Sequence, residues 1–468
     1  MERVHSERVL SLIREDELVE LALALGNIDS VQPYEERASR YVFEWLERHG
    51  FRPRRIGLPD RYNVLGRLRG LGTGYSLIFN AHLDTERVEA SRLVNADHPG
   101  YHSAWRSGDR LVGYGIVNDR GPMAAFMIAA KAIKEAGVQL KGDVLLSMVV
   151  GETGGSPVDE FQGPQYDSHE LGARYLVTHG GYADFALVAE ATGFRIAEAE
   201  CGFVYMKITV LGGLSHYTPQ LPPRDLARPE SSPNAIVRMA KLIQLLEQYA
   251  AEYEARNKRE TAHGATQTAK AQIGAVRAGS PYYPAQSPEL ASMYLDFRTL
   301  PGANPLSIKA DLEQLMIKAG LEGDVEIYKV LPGFEAENTE TLVDSLRWGH
   351  MEVFKAEPTT APSLFHSMWR DINVFNELRI PSVSYAFATA YTDSEYVPSG
   401  DATVDSFSAS VKDLVACAKV YALTALHLCN REKEERALVA SGPRPAISQA
   451  QVTRSSARNG RPGPGQRR

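Results

Sequence analysis

Apolar residues recur along this chain in two rhythms, helical and strand-like, and the places where the rhythm changes mark its elements. Residues 6–26 set Val9, Leu10, Leu12, Ile13, Leu18, Leu21 and Leu23 at helical spacing, and Gly26 is a natural stop. A second amphipathic helix is expected from Pro33 to His49, closed by Gly50. Strands are expected near Asn63–Leu68 and Ser76–Phe79, then a helix over Met123–Ala136 entered through the Gly121-Pro122 turn. Asp143–Val150, Phe185–Ala189 and Pro381–Phe387 are continuous apolar runs, the signature of strands covered on both faces. After Glu200 the pattern shifts to strand 203–211, helix 233–257, strands 269–277 and 290–300, helix 307–319 and strand 324–330. That order, β-α-β-β-α-β, is ferredoxin-like. Helical spacing resumes at 341–354, 372–378 and 406–428.

Three of the apolar runs end in side chains able to hold a metal: His82, Glu152 and Glu190. In an open α/β sheet the carboxyl ends of the strands share one crevice, so a common site is expected there, with the Asn118-Asp119 turn beside it. Asp84 lies two residues beyond His82, a spacing that lets a carboxylate back an imidazole and fix its tautomer.

Composition narrows the class. A chain of 468 residues is too long for one simple core, and its 44% hydrophobic and 23% charged content is ordinary for a globular protein. A net charge of −7 argues against nucleic acid as a partner. Cys201, Cys417 and Cys429 are too widely spaced for a disulfide framework or a zinc knuckle, which suits a reducing compartment. With no signal-type N-terminus and no run able to span a bilayer, a cytoplasmic protein without membrane contact is expected.

The ordered motifs carry a family resemblance. His82-Leu-Asp84, the Gly-x-Gly…Asp-Arg-Gly-Pro turn, Gly151-Glu-Thr-Gly-Gly155 and Ala189-Glu-Ala-Thr192 resemble successive motifs of the M20 metallopeptidases. Gly212-Gly-Leu-Ser-His-Tyr-Thr-Pro219, Asn234-Ala-Ile, Asp296-Phe-Arg298, Arg370-Asp-Ile and Asp393-Ser-Glu-Tyr-Val extend the match. The resemblance implies an α/β fold: a zinc-peptidase-like mixed-sheet catalytic domain with an inserted ferredoxin-like α+β domain serving as lid and dimerisation surface. The catalytic part would comprise residues 1–202 and 331–435 and the insert 203–330, with 436–468 a disordered basic tail.

Carried over by position, the resemblance makes His82, Asn118, Glu152 and Glu190 metal positions, with Asp84 behind His82. His216 would stabilise an oxyanion, often in the partner subunit's site, and Asn234 and Tyr391 would contact substrate; Arg298 would either bind a substrate carboxylate through its fork or form a structural salt bridge within the sheet. Departures accompany the matches. Asn118 stands where the family has a bridging aspartate, Gly151 where it has its base, and Tyr391 where it has a histidine. Tyr114 and Asn373 stand where relatives often carry arginine, and His366 and Glu395 are possible replacement ligands.

The expectation is a homodimeric hydrolase cleaving a C–N bond, amide or peptide-like, in a small carboxylate-bearing substrate. It would use one divalent ion per chain, zinc or else manganese or cobalt, with Glu152 as base. The alternatives are an aminohydrolase on the same scaffold and an inactive ligand-binding homologue.

Overall fold

The computed structural model describes residues 2–86, 97–158, 167–390 and 407–433. The chain divides into Met1–Arg431, which contains every element below, and Glu432–Arg468. The expected tail, 436–468, lies outside the described residues.

A six-stranded mixed sheet forms the base. Its order is Arg54–Leu58, Arg61–Leu68, Val144–Val149, Leu77–His82, Phe185–Val188 and Ser382–Ser384. The last four strands run parallel to one another, whereas the first two pair antiparallel. The parallel strands are buried throughout and mostly apolar because side chains alternate between two cores. Leu77, Phe79, Val144, Leu146 and Met148 point into a core shared with helices Glu15–Gly26, Gly121–Glu135 and Val411–Asn430. Ile78, Leu145, Val149, Ala186 and Val188 point into another, shared with helices Leu171–Thr178 and Ile372–Glu377.

The chain then builds a second sheet, four antiparallel strands in the order Ala271–Ala278, Leu290–Thr299, Gly202–Leu211 and Gly323–Leu331. Helices Ala235–Arg256 and Pro305–Ala319 contribute to its separate core, with Met206, Ile208, Leu242, Met293 and Leu312 at the centre. Strand order 4-1-3-2 by appearance is what the ferredoxin-like sequence of elements produces.

One local expectation is corrected and one helix is added. Residues 6–26 do not form one helix: Glu2–Ser11 and Glu15–Gly26 are separate, broken at 12–14 without glycine or proline. Helix Leu171–Thr178 has no counterpart in the sequence reading, being only eight residues long.

Candidate active site

His82 is the last residue of the central strand Leu77–His82, and Glu152 and Glu190 lie just past the ends of its two neighbours. The strand register therefore gathers them. From His82 Nε2, Glu152 Oε2 lies at 3.8 Å and Glu190 Oε1 at 4.0 Å. Adjacent residues on a strand face opposite ways, so Glu152 could reach this side only through a turn. Gly151 supplies it, at φ +70°, in the left-handed region that favours glycine.

The Asn118-Asp119 turn enters from below. Gly121 starts the following helix with no room for a side chain, since a Cβ there would sit 2.6 Å from Ile116 O and 2.9 Å from the Phe387 ring. This close packing seats Asp119, which is fully buried and accepts from His82 N at 3.2 Å. Asn118 Oδ1 lies 2.8 Å from His82 Nε2, and Asn118 Nδ2 donates to the Tyr114 hydroxyl at 3.4 Å.

Asp84 departs from expectation. His82 Nδ1 bonds the Asp84 backbone carbonyl at 2.8 Å, while the carboxylate is 3.9 Å away. The tautomer is thus fixed by main chain. The carboxylate instead accepts from Glu152 N (3.2 Å), Thr153 N (2.7 Å), Thr153 Oγ1 (2.6 Å) and Gln32 Nε2 (2.7 Å). It holds the turn that aims Glu152.

The electrostatics are those of crowded buried acids. Burial first, then Glu190 and other neighbours, pushes Asp119 and Glu152 well above the ordinary carboxyl range. Burial also raises Asp371 to about 7, against a hydrogen bond from Asn80. Burial likewise raises Glu200 to about 7, against the pull of Arg370.

The donor set fits a divalent cation. His82, Asp119 and Glu190 each offer a ligand atom within 4.8 Å of the others, and Asp119 Oδ1 is buried with no hydrogen-bond partner. Donation from His82 Nδ1 leaves Nε2 a lone pair facing Asn118 Oδ1; a cation bound to both, or the amide turned end for end, satisfies that contact. A mixed imidazole and carboxylate set suits zinc, manganese or cobalt.

These groups border a cavity of about 620 Å³. Asn118, Glu152, Glu190 and Arg370 line its base, and Arg298, Phe203 and Tyr205 line it from the second sheet, with His169 and Trp369 in the same wall. Arg298 forks onto Asp296 at 3.1 and 2.9 Å and lies over the Phe203 ring.

Not every sequence candidate comes here. His216 Nδ1 bonds Leu214 O at 2.6 Å, and Asn234 Oδ1 caps the helix Ala235–Arg256 by accepting from Ile236 N; neither lines the cavity. Tyr391 and Glu395 lie outside the described residues. His366 bonds Ala199 O at 2.8 Å and is not in the donor set. Asn373 is spent on Cys201 O and Phe334 N, whereas Tyr114 lines the cavity. Arg370, Gln32, His169 and Trp369 received no role from the sequence; only the Arg370-Asp371 pair stood within a quoted motif.

Comparison with known proteins agrees with this architecture. A deformylase of Bacillus subtilis, named for N-formyl-4-amino-5-aminomethyl-2-methylpyrimidine, is 30% identical over 187 residues, 39% of this chain and 40% of that protein. The chain spans about half the length, or less, of the curated relatives it matches. Human carnosine dipeptidase 1 superposes with a TM-score of 0.65 at 15% identity, covering 91% of this chain and 98% of that one. A Bacillus subtilis protein described as a dinuclear metal binding peptidase superposes with a TM-score of 0.55 at 14% identity, covering 89% and 98%. At such identities the likeness is one of fold. The model of peptidase family M20/M25/M40 matches residues 78–427, three-quarters of the sequence, and the chain belongs to that family.

Proposed function

We propose that this protein is a metal-dependent hydrolase that cleaves a C–N bond, amide or peptide-like, in a small substrate bearing a carboxylate. The observation that carries the reading is the Glu152 carboxylate, aimed by the Gly151 turn to 3.8 Å from His82 Nε2 on the floor of the cavity. His82 and Glu190, with Asn118 or Asp119, would hold one divalent ion. Such an ion supplies Lewis-acid polarisation of a carbonyl and acidifies water.

The chain's own residues do the remainder. Glu152 accepts the proton of the attacking water and passes it to the departing nitrogen; burial raises the proton affinity of its carboxyl, and a bound cation would lower it. Thr153 cannot serve instead, since its hydroxyl is given to Asp84. Arg298, on the cavity wall with Nε and Nη2 bonded to Asp296, offers Nη1 to the substrate carboxylate. Residues 203–330 act as lid and dimerisation domain between the catalytic parts 1–202 and 331–435. In a homodimer His216 and Asn234 would complete the partner subunit's site, which accounts for their distance from the cavity of their own chain. The name of the 30% identical relative supports a small N-acyl group on an amine rather than a long peptide.

The test uses Glu152→Gln and a panel of N-formyl amines, N-acyl amino acids and dipeptides, each paired with its carboxamide. Turnover should fall by about three orders of magnitude or more, with metal content unchanged and with the free carboxylates preferred in wild type. Loss of metal instead would make Glu152 a ligand and refute its role as base.

A further inference from the structure

We propose that the ring cluster Phe203, Tyr205, His169 and Trp369, set beside Arg298, is a subsite for a hydrocarbon aromatic ring, so that the preferred substrates are N-acyl α-amino acids with a phenylalanine-like side chain. The inference rests on the metal-hydrolase reading above and narrows its substrate. All five side chains line the same cavity as Glu152 and Glu190.

The cluster is built on a sheet face. Phe203 and Tyr205 lie two residues apart on strand Gly202–Leu211 and so project to the same side. The register pairs Phe203 with Arg298 and Tyr205 with Asp296 on the neighbouring strand. The Phe203 ring is the centre of the cluster. Its centroid lies 4.4 Å from that of Tyr205, 4.7 Å from that of His169 and 5.6 Å from that of Trp369. His169 arrives from the turn before helix Leu171–Thr178, at φ +68°, and Trp369 from the stretch between helices Ser363–His366 and Ile372–Glu377. Distant parts of the chain thus converge on one wall.

The chemistry of this wall is selective. His169 Nε2 and Trp369 Nε1 are enclosed and make no hydrogen bond among the described residues, so neither reaches into the cavity. Burial pushes His169 down to about 3, which leaves its ring neutral. What the wall offers is ring carbon, to which a further ring adds by offset or edge-to-face contact. A cationic side chain is disfavoured, because the Arg298 guanidinium already stands over Phe203, 5.6 Å from Cζ to ring centre. The same distance sets the spacing. A carboxylate held by Arg298 lies within one side chain's reach of the cluster, as carboxylate and ring do in an aromatic α-amino acid.

The experiment measures kcat/KM of the full-length protein, supplied with zinc chloride, for N-acetyl-L-phenylalanine, its saturated counterpart N-acetyl-L-cyclohexylalanine, N-acetyl-L-histidine and N-acetyl-L-lysine. Calorimetry gives Kd for the same compounds on the Glu152→Gln protein. The phenylalanine compound should lead the saturated one by about 3- to 10-fold in each measurement. Tyr205→Leu, and His169→Asn, which suits the left-handed backbone, should bring that ratio close to one, whereas Tyr205→Phe should keep it. Equal kcat/KM for the phenylalanine and cyclohexylalanine compounds in wild type overturns the subsite and leaves the hydrolase reading standing. So does an unchanged ratio in folded Tyr205→Leu or His169→Asn, or a preference for the histidine or lysine compound. Turnover of N-formyl amines or dipeptides with none of these compounds cleaved overturns the subsite in the same way. If no compound of either panel is cleaved, the hydrolase reading falls, and the Kd ratio alone decides the subsite.

Discussion

Removing the Asp84 carboxylate should collapse the turn that carries Glu152 while leaving His82 correctly presented. The carboxylate is fully buried and accepts four hydrogen bonds, two from main-chain N–H groups of residues 152 and 153. A hydrogen bond to a buried charge contributes about 1.5–3 kcal/mol, and deleting the acceptor strands its donors. The four share one carboxylate and do not add in full, so Asp84→Ala should cost about 4 kcal/mol. Asp84→Asn keeps one accepting oxygen but turns an NH₂ toward donors, and about half that cost is expected. Urea unfolding of the wild type and both variants measures the loss, and zinc affinity measured alongside reads His82. Because His82 Nδ1 is held by the Asp84 main-chain carbonyl, affinity should fall far less than turnover. Full stability in Asp84→Asn combined with loss of metal would refute this, and would restore the carboxylate as the group behind the histidine.

Two further outcomes are expected. His350 is buried against the Tyr385 hydroxyl at 2.6 Å, and burial lowers it to about 4. Below the ordinary histidine pKa of about 6.5 the unfolded chain binds a proton that the folded chain refuses until about pH 4, so this site's contribution to stability falls as pH falls across that window, by on the order of 2 kcal/mol. Denaturation midpoints at pH 7 and pH 5 should therefore converge in His350→Phe relative to wild type, and an unchanged pH difference would show that the site does not titrate this way. Sedimentation should give a dimer, and mixing inactive Glu152→Gln with inactive His216→Ala chains should restore part of the activity; a fully active monomer would remove His216 from the partner's site.

Much of the architecture was legible because the parallel strands are buried on both faces and so appear as predominantly apolar runs, as at Leu77–Phe79 and Val144–Val149, where Ser147 is the one polar residue. The ferredoxin-like layer was legible from element order alone. Local spacing failed where long-range contacts decide. Asp84 and His82 are two residues apart, yet the carboxylate belongs to donors 52 to 69 residues away in sequence. Arg370 sits in an irregular stretch between short helices, where no periodicity marks a side chain as buried, and its partners Glu190 and Glu200 lie far along the chain. The break at residues 12–14 carries no glycine or proline and could not be read from residue type.

The four-stranded layer leaves and rejoins the rest of the chain through neighbouring strands, with Phe203 opposite Leu331. At that neck a Cβ on Gly202 would lie 2.4 Å from Leu331 O. Its two ends are thus held about 4.8 Å apart, one strand spacing. To the six-stranded sheet, everything between them behaves as a single closed loop, whose length enters the closure entropy only logarithmically. Away from any surface that meets a partner subunit, this layer can consequently lengthen at little cost. Phe203, Tyr205 and Arg298, which stand at the neck end of their strands and wall the cavity, do not share that freedom.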